Sequence, residues 1–251
     1  MKKLNLCISA VCIVLATLQS CETDSSSIAR EAVSPTGKGG SMARFAVSGD
    51  YLYTVDNNNL NLFNITSPTD PVKEKTVPLS FGVETIFPFE DKLFVGTQTG
   101  MHILSVENPA SPQELSHYSH TFSCDPVVTD GRYAYVTLRT GTNCGRAINE
   151  LQIIDIQNIT NPVLKSQYQM VNPMGLGIDG NNLFVCDDGL KMYDASNVNA
   201  ITLKKHFNIN AFDVIPDKGN LLVVGSDGFY QYQYLGESLE LLSKITIQPS
   251  S

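Results

Sequence analysis

Apolar and polar residues alternate along this chain in short runs, and the runs come in matched sets. The clearest is Leu151-Gln152-Ile153-Ile154-Asp155-Ile156, followed by Asn158-Ile159-Thr160-Asn161-Pro162-Val163. Weaker copies flank it. Leu60 to Ile65 leads to Ser67-Pro68-Thr69-Asp70-Pro71, and Met101 to Val106 leads to Asn108-Pro109-Ala110-Ser111-Pro112. Leu190 to Ala195 and Phe229 to Tyr234 complete the set. Runs of this length and period, bounded by Gly, Asp, Asn and Pro, predict strands joined by turns.

Each copy belongs to a longer unit. A first strand (Phe45-Ala46-Val47, Thr85-Ile86-Phe87, Val127-Val128, Leu176-Gly177-Ile178, Phe212 to Ile215) precedes a turn such as Asp130-Gly131 or Asp179-Gly180. A second strand follows, then the run described above, then a fourth strand starting at Val72, Gln113, Val163, Ile201 and Leu239. Leu52, Leu93, Ala134, Leu183 and Leu222 stand 41, 41, 49 and 39 residues apart. A period near 40 with four strands per unit is the signature of a propeller blade. The expected fold is all-β, a five-bladed β-propeller of four-stranded antiparallel blades at about 42–80, 81–120, 121–171, 172–208 and 209–248. The long interval reflects an insert in the third unit, Arg139 to Glu150. No exchange of strands between units closes the ring in this reading, although Ile28 to Val33 could supply a closing strand.

Ile153-Ile154-Asp155-Ile156 with Asn161-Pro162, preceded by Asp130 to Val136, resembles the LVIVD repeat of bacterial surface and secreted proteins. That resemblance implies a β-propeller and carries no catalytic motif with it, and fold by itself does not assign function.

The N-terminus speaks to location. Lys2 and Lys3 precede an apolar stretch, Leu4 to Leu18, too short to span a bilayer comfortably, and Leu18-Gln19-Ser20-Cys21 follows. This order reads as a signal peptide over residues 1–20. It resembles the bacterial lipobox, in which the cysteine, here Cys21, becomes the lipidated first residue, so that acyl chains and no transmembrane helix hold the protein to the membrane. Glu22 and Asp24 look similar to the acidic lipoprotein export signals of Bacteroidetes, which implies an outer-membrane lipoprotein, exposed at the surface or else on the periplasmic side. Residues 21–41, rich in Ser and Gly, read as a flexible tether.

Without Met1 to Ser20, which hold two lysines and no acid, 15 basic residues face 25 acidic ones, a net charge of −10. Such a surface repels phosphate backbones, so no nucleic-acid partner is expected. No G-x-S-x-G, Walker loop or dinucleotide fingerprint occurs. His117 and His120 would point to opposite faces of a strand and read as ordinary polar positions. No cofactor and no metal is expected, and the chain is read as a monomer.

Loops joining one blade to the next share a face with the loops between second and third strands. That face gathers the polar loops and the insert, and loops on a rigid scaffold are where binding evolves. The candidate binding residues are Arg139, Asn143, Arg146, Glu150, Asp187, Asp188 and Asp227; Asp187-Asp188-Gly189 and Ser226-Asp227-Gly228 equally suit hairpin turns. Cys124 and Cys144 fall on one face of one blade and read as a disulfide in an oxidising compartment, with Cys186 free and buried; three unpaired thiols is the competing reading. Glu84, Asp125 and Asp213 fall at similar register, where innermost strands line a central channel. Five-bladed propellers include glycosidases with acids in such a channel, and paired carboxylates serve glycoside hydrolysis. The expected function is therefore an envelope module binding a protein or glycan through this loop face. The alternative is a hydrolase using the three acids.

Overall fold

The alternating runs resolve into five antiparallel sheets of four strands, each sheet a simple meander. They are seen in a computed structural model that describes residues 39–120, 123, 126–139 and 148–247. Blade 1 comprises β1 (Phe45–Ser48), β2 (Tyr51–Val55), β3 (Asn59–Asn64) and β4 (Val72–Pro78). Blade 2 comprises β5 (Val83–Phe89), β6 (Lys92–Thr97), β7 (Gly100–Ser105) and β8 (Gln113–Ser119). Blade 3 holds β9 (Val127–Thr129), β10 (Tyr133–Leu138), β11 (Glu150–Asp155) and β12 (Val163–Gln169). Blade 4 holds β13 (Pro173–Asp179), β14 (Asn182–Asp187), β15 (Leu190–Asp194) and β16 (Thr202–Phe207). Blade 5 holds β17 (Ala211–Asp217), β18 (Asn220–Gly225), β19 (Gly228–Leu235) and β20 (Ser238–Thr246).

The repeated run is explained by what its positions do. In β11, Ile153 packs with Leu176 and Leu183 of blade 4, while its neighbour Ile154 packs with Phe94 and Met101 of blade 2. Adjacent strand residues face opposite ways, so a blade sandwiched between two others needs apolar residues at consecutive positions. Each such side chain contributes about 1.5–3 kcal/mol by burial. The following polar residue caps the turn: Asp155, Asn64, Ser105 and Asp194 each accept the amide two residues on, at 2.9–3.3 Å. The next amide closes onto the start of the second strand, as in Ile156 N to Arg132 O (3.0 Å) and Val106 N to Asp91 O (2.7 Å). A turn then repeats four times, Asn161 N to Asn158 O at 2.9 Å being one instance and Ala200 N to Asn197 O another. All five blades shift register between the third and fourth strands at the equivalent place, after Leu62, Ile103, Ile153, Met192 and Gln231.

Four buried apolar clusters join blade 1 to 2, 2 to 3, 3 to 4 and 4 to 5. Among the described residues no such cluster joins blade 5 to blade 1. Part of the expected tether works there instead. Ser41, fully buried, donates its hydroxyl to Asp213 Oδ1 of β17 (2.8 Å) and accepts the amide of Leu176 in β13 (2.8 Å). The Met42 amide donates to Asp213 Oδ2 at 3.2 Å. The tether reading of residues 21–41 is thus corrected at its end. Gly40 and Ser41 are buried because they answer polar groups that the propeller axis hides, and a Cβ on Gly40 would collide with the Asp213 carboxylate. The signal segment, Cys21, and the suggested closing strand Ile28 to Val33 lie outside the described residues.

Candidate functional site

A pocket of about 240 Å³ opens on the axis at the end where the innermost strands begin. Met42, Met174, Pro126 and Pro173 supply its apolar wall, and Arg44, Arg139, Glu84 and Thr85 its polar groups. Two of these side chains are aimed by bulges. The pairing of β5 with β6 slips between Val83 and Thr85, leaving Glu84 out of register, and that of β13 with β14 slips between Pro173 and Leu176, leaving Met174 out. A bulge turns a side chain off the blade face, here toward the axis. Glu84 is further fixed by Gln98, whose Nε2 donates to Oε1 at 2.9 Å. Thr137 Oγ1 holds the Met174 carbonyl at 2.5 Å.

The rim is braced by loop-to-loop bonds. Gly82 and Val83 amides donate to Asn57 O (2.9 and 3.0 Å), and Gln98 N donates to Gly82 O (2.9 Å). Ser123 N donates to Gln98 O (3.0 Å), and Met170 N to Asn149 O (2.9 Å). Loops between second and third strands therefore stand beside the loops that enter the next blade; in blade 3, Arg139 and Pro126 carry this neighbourhood into the pocket.

Charge is unevenly used around it. Lys92, Lys191, Lys204 and Lys244 each pair with an aspartate. Arg132 lies over the Tyr133 ring, 5.5 Å from its centroid. Among the described residues only Arg44 and Arg139 remain as arginines, both line this pocket, and neither forms an ion pair with a described carboxylate.

Arg139 and Glu84 meet in the axial pocket; Arg44, Met42 and Met174 join them and were not singled out from sequence. Their common register just before or within the first strand was the available signal for Arg44, but register without the bulges does not tell which side chains turn inward. Asp213 does not line this pocket. Its oxygens accept the Ser41 hydroxyl and the Met42 and Val214 amides, and burial pushes its carboxyl above the usual range. Asp187, 1% exposed, accepts the Val171 and Asn172 amides (2.9 and 2.6 Å) and pairs with Lys191 at 2.7 Å, so its oxygens are committed within blade 4. Asp188 has φ of 50° and precedes Gly189 at 109°, which is turn geometry. Glu150 accepts Gln152 Nε2 at 2.7 Å. Asp227 lines an open groove beside the stacked rings of Tyr230 and Tyr232, and holds Lys244 at 2.8 Å. Asn143, Arg146, Asp125, Cys124 and Cys144 lie outside the described residues. Cys186 is free and buried in β14, where burial raises its thiol well above the ordinary value.

No curated protein sequence matches this chain. Solved structures show the same fold at low identity. One is a protein from Lactobacillus plantarum, 15% identical with a TM-score of 0.61 over 80% of this chain and 74% of that one. Another is a functionally unknown protein from Desulfotomaculum acetoxidans, 12% identical, TM-score 0.58, over 78% and 66%. A periplasmic gluconolactonase from Pseudomonas aeruginosa is also 12% identical, TM-score 0.58, over 79% and 68%. The LVIVD repeat model matches residues 39–77 and 124–170, which are blades 1 and 3 with the residues that lead into them. These matches, the five four-stranded sheets and the shared role of the repeated run make the chain a β-propeller, with LVIVD repeats matched at blades 1 and 3.

Proposed function

We propose that this chain is a recognition module of a bacterial cell envelope, held to the membrane by acyl chains on Cys21, that binds a protein or glycan ligand at the loop face into which the axial pocket opens. The observation that carries the reading is the pocket itself: a cavity built from three blades and the segment before β1, with Glu84 and Met174 aimed by bulges and with the loops at this end bonded to one another. Such a site loses little conformational freedom on binding. Asp188 and Asp227 are assigned to outer contacts of the same face, and Arg139 to the pocket. One copy carries the whole pocket, so a monomer suffices.

The test is a glycan array and an envelope-extract pull-down with the full mature chain, repeated with Met174→Trp, which fills the pocket. Loss of the captured ligand with unchanged thermal melting supports the reading; undiminished capture overturns it. Globomycin should block processing at Cys21, and unchanged processing removes the anchor. A second reading, a hydrolase, rests on Glu84 in the pocket. It requires that Glu84→Gln abolish turnover of a substrate that the variant still binds.

A further inference from the structure

We infer that the axial pocket takes a hydroxylated carboxylic acid, the size of one sugar ring, with Arg44 and Arg139 as its carboxylate receptors. This inference rests on the binding reading above. The sequence carries a net charge of −8, yet the two arginines that no described carboxylate pairs converge on one cavity. Arg44 is exposed and Arg139 half-buried, so water solvates both guanidinium groups in the free protein and both remain open to an anionic ligand. A guanidinium presents a planar fork of donors that a carboxylate matches with two parallel hydrogen bonds.

The rest of the lining narrows the class. Glu84 shares the cavity and spends Oε1 on Gln98. Its negative charge opposes a dianion more than a monoanion, which favours a carboxylate over a phosphate. Its remaining oxygen is an acceptor suited to a ligand hydroxyl. Met42, Met174, Pro126 and Pro173 present C–H surface to the apolar face of a ring. At about 240 Å³ the cavity lies somewhat below the range for drug-sized ligands, of order 300–1,000 Å³, and suits a single ring. A uronic acid residue meets each of these requirements.

Calorimetry on the full mature chain at low ionic strength tests this with D-glucuronate, D-glucose and inorganic phosphate as probes. Glucuronate should bind and glucose should not. Arg44→Gln and Arg139→Gln should each weaken glucuronate about tenfold or more, as for hydrogen bonds to charged groups, with thermal melting unchanged, and added salt should weaken it further. Glucose binding as well as glucuronate, arginine variants binding undiminished, or phosphate binding more tightly would each overturn the assignment while leaving a pocket binder intact. If Met174→Trp abolishes binding of an array ligand that both arginine variants keep, the pocket reading survives and the acid class fails. Glucuronate binding retained by Met174→Trp sinks both, and the absence of binding by any probe sinks the acid class.

Discussion

Ser41 donates its hydroxyl proton to Oδ1 of Asp213, 172 residues away, across 2.8 Å. Ser41 Oγ in turn accepts the Leu176 amide at 2.8 Å, so one small side chain ties the segment before β1 to blades 4 and 5. Between blade 5 and blade 1 this polar link stands where the other junctions have apolar clusters.

Replacing Ser41 with Ala removes the donor to a buried carboxylate and the acceptor of a buried amide. A loss of about 2–4 kcal/mol is expected, from one group left unsatisfied on each side, read as a lower urea midpoint with an unchanged slope. Asp213 adds a pH signature. Burial raises its carboxyl above the ordinary value. The stability it contributes is therefore full below the ordinary carboxylate range and declines as pH rises through its higher folded value. Asp213→Asn should flatten that decline; an unchanged profile would refute the assignment.

Asp187 and Lys191 form an ion pair at 2.7 Å inside blade 4, with side chains 1% and 13% exposed. Removing one partner of such a pair strands the other. Lys191→Met should cost about 3–5 kcal/mol, less whatever the two backbone amides on Asp187 recover. The double variant Asp187→Leu with Lys191→Met should restore much of the loss, since apolar residues of similar volume often replace a buried pair without penalty. A double variant no better than the worse single would contradict this.

His117 stacks on buried His102, ring centroids 4.2 Å apart, and His102 in turn contacts Ser80 Oγ at 2.7 Å and Glu114 at 3.0 Å. Desolvation, then the charge of His102, lowers the His117 pKa below the ordinary 6.5. Neutral His117 therefore contributes stability present above pH 6.5 and lost as pH falls through its lower folded value. Thermal melts between pH 7.5 and 5 should drop more steeply for the native chain than for His117→Gln. Parallel curves would exclude the stack as the cause.

Asp56 anchors the loop between β2 and β3, accepting the Asn58 and Asn59 amides at 3.0 and 2.9 Å and Asn61 Nδ2 at 2.9 Å. The Asn58 amide first, then Asn61, bring its pKa from 3.8 to about 2. The contribution to loop order is present above 3.8 and disappears as pH falls through about 2. Carboxyl shifts in an NMR titration should show the midpoint near 2; a midpoint at the ordinary value would mean the loop is not so bonded.

Much of the fold was legible because the repeat states it locally. Consecutive apolar residues such as Ile153 and Ile154 announce a strand covered on both sides, and Asp155 announces the turn that follows. The site was only half legible. Arg139 stood out as the first residue of the insert and Glu84 as an acid beside a first strand. Arg44 did not, because nothing local distinguishes it from any exposed residue before a strand. Asp187 and Asp213 looked available for the same reason in reverse, since the amides and hydroxyl that occupy them come from distant segments.

What the sequence determined by itself was the blade: its four strands, its period and its turns, all set by contacts within about 40 residues. What only the tertiary structure decided was which polar side chains are spent and which are offered. Ser41 reaches Asp213 only once the ring brings blade 5 to the segment before β1, and Arg44 comes to line one pocket with Arg139 only once the blades have stacked. Hydrogen-bond partners of high sequence separation are chosen by how the blades stack, and no local pattern of residues encodes that choice.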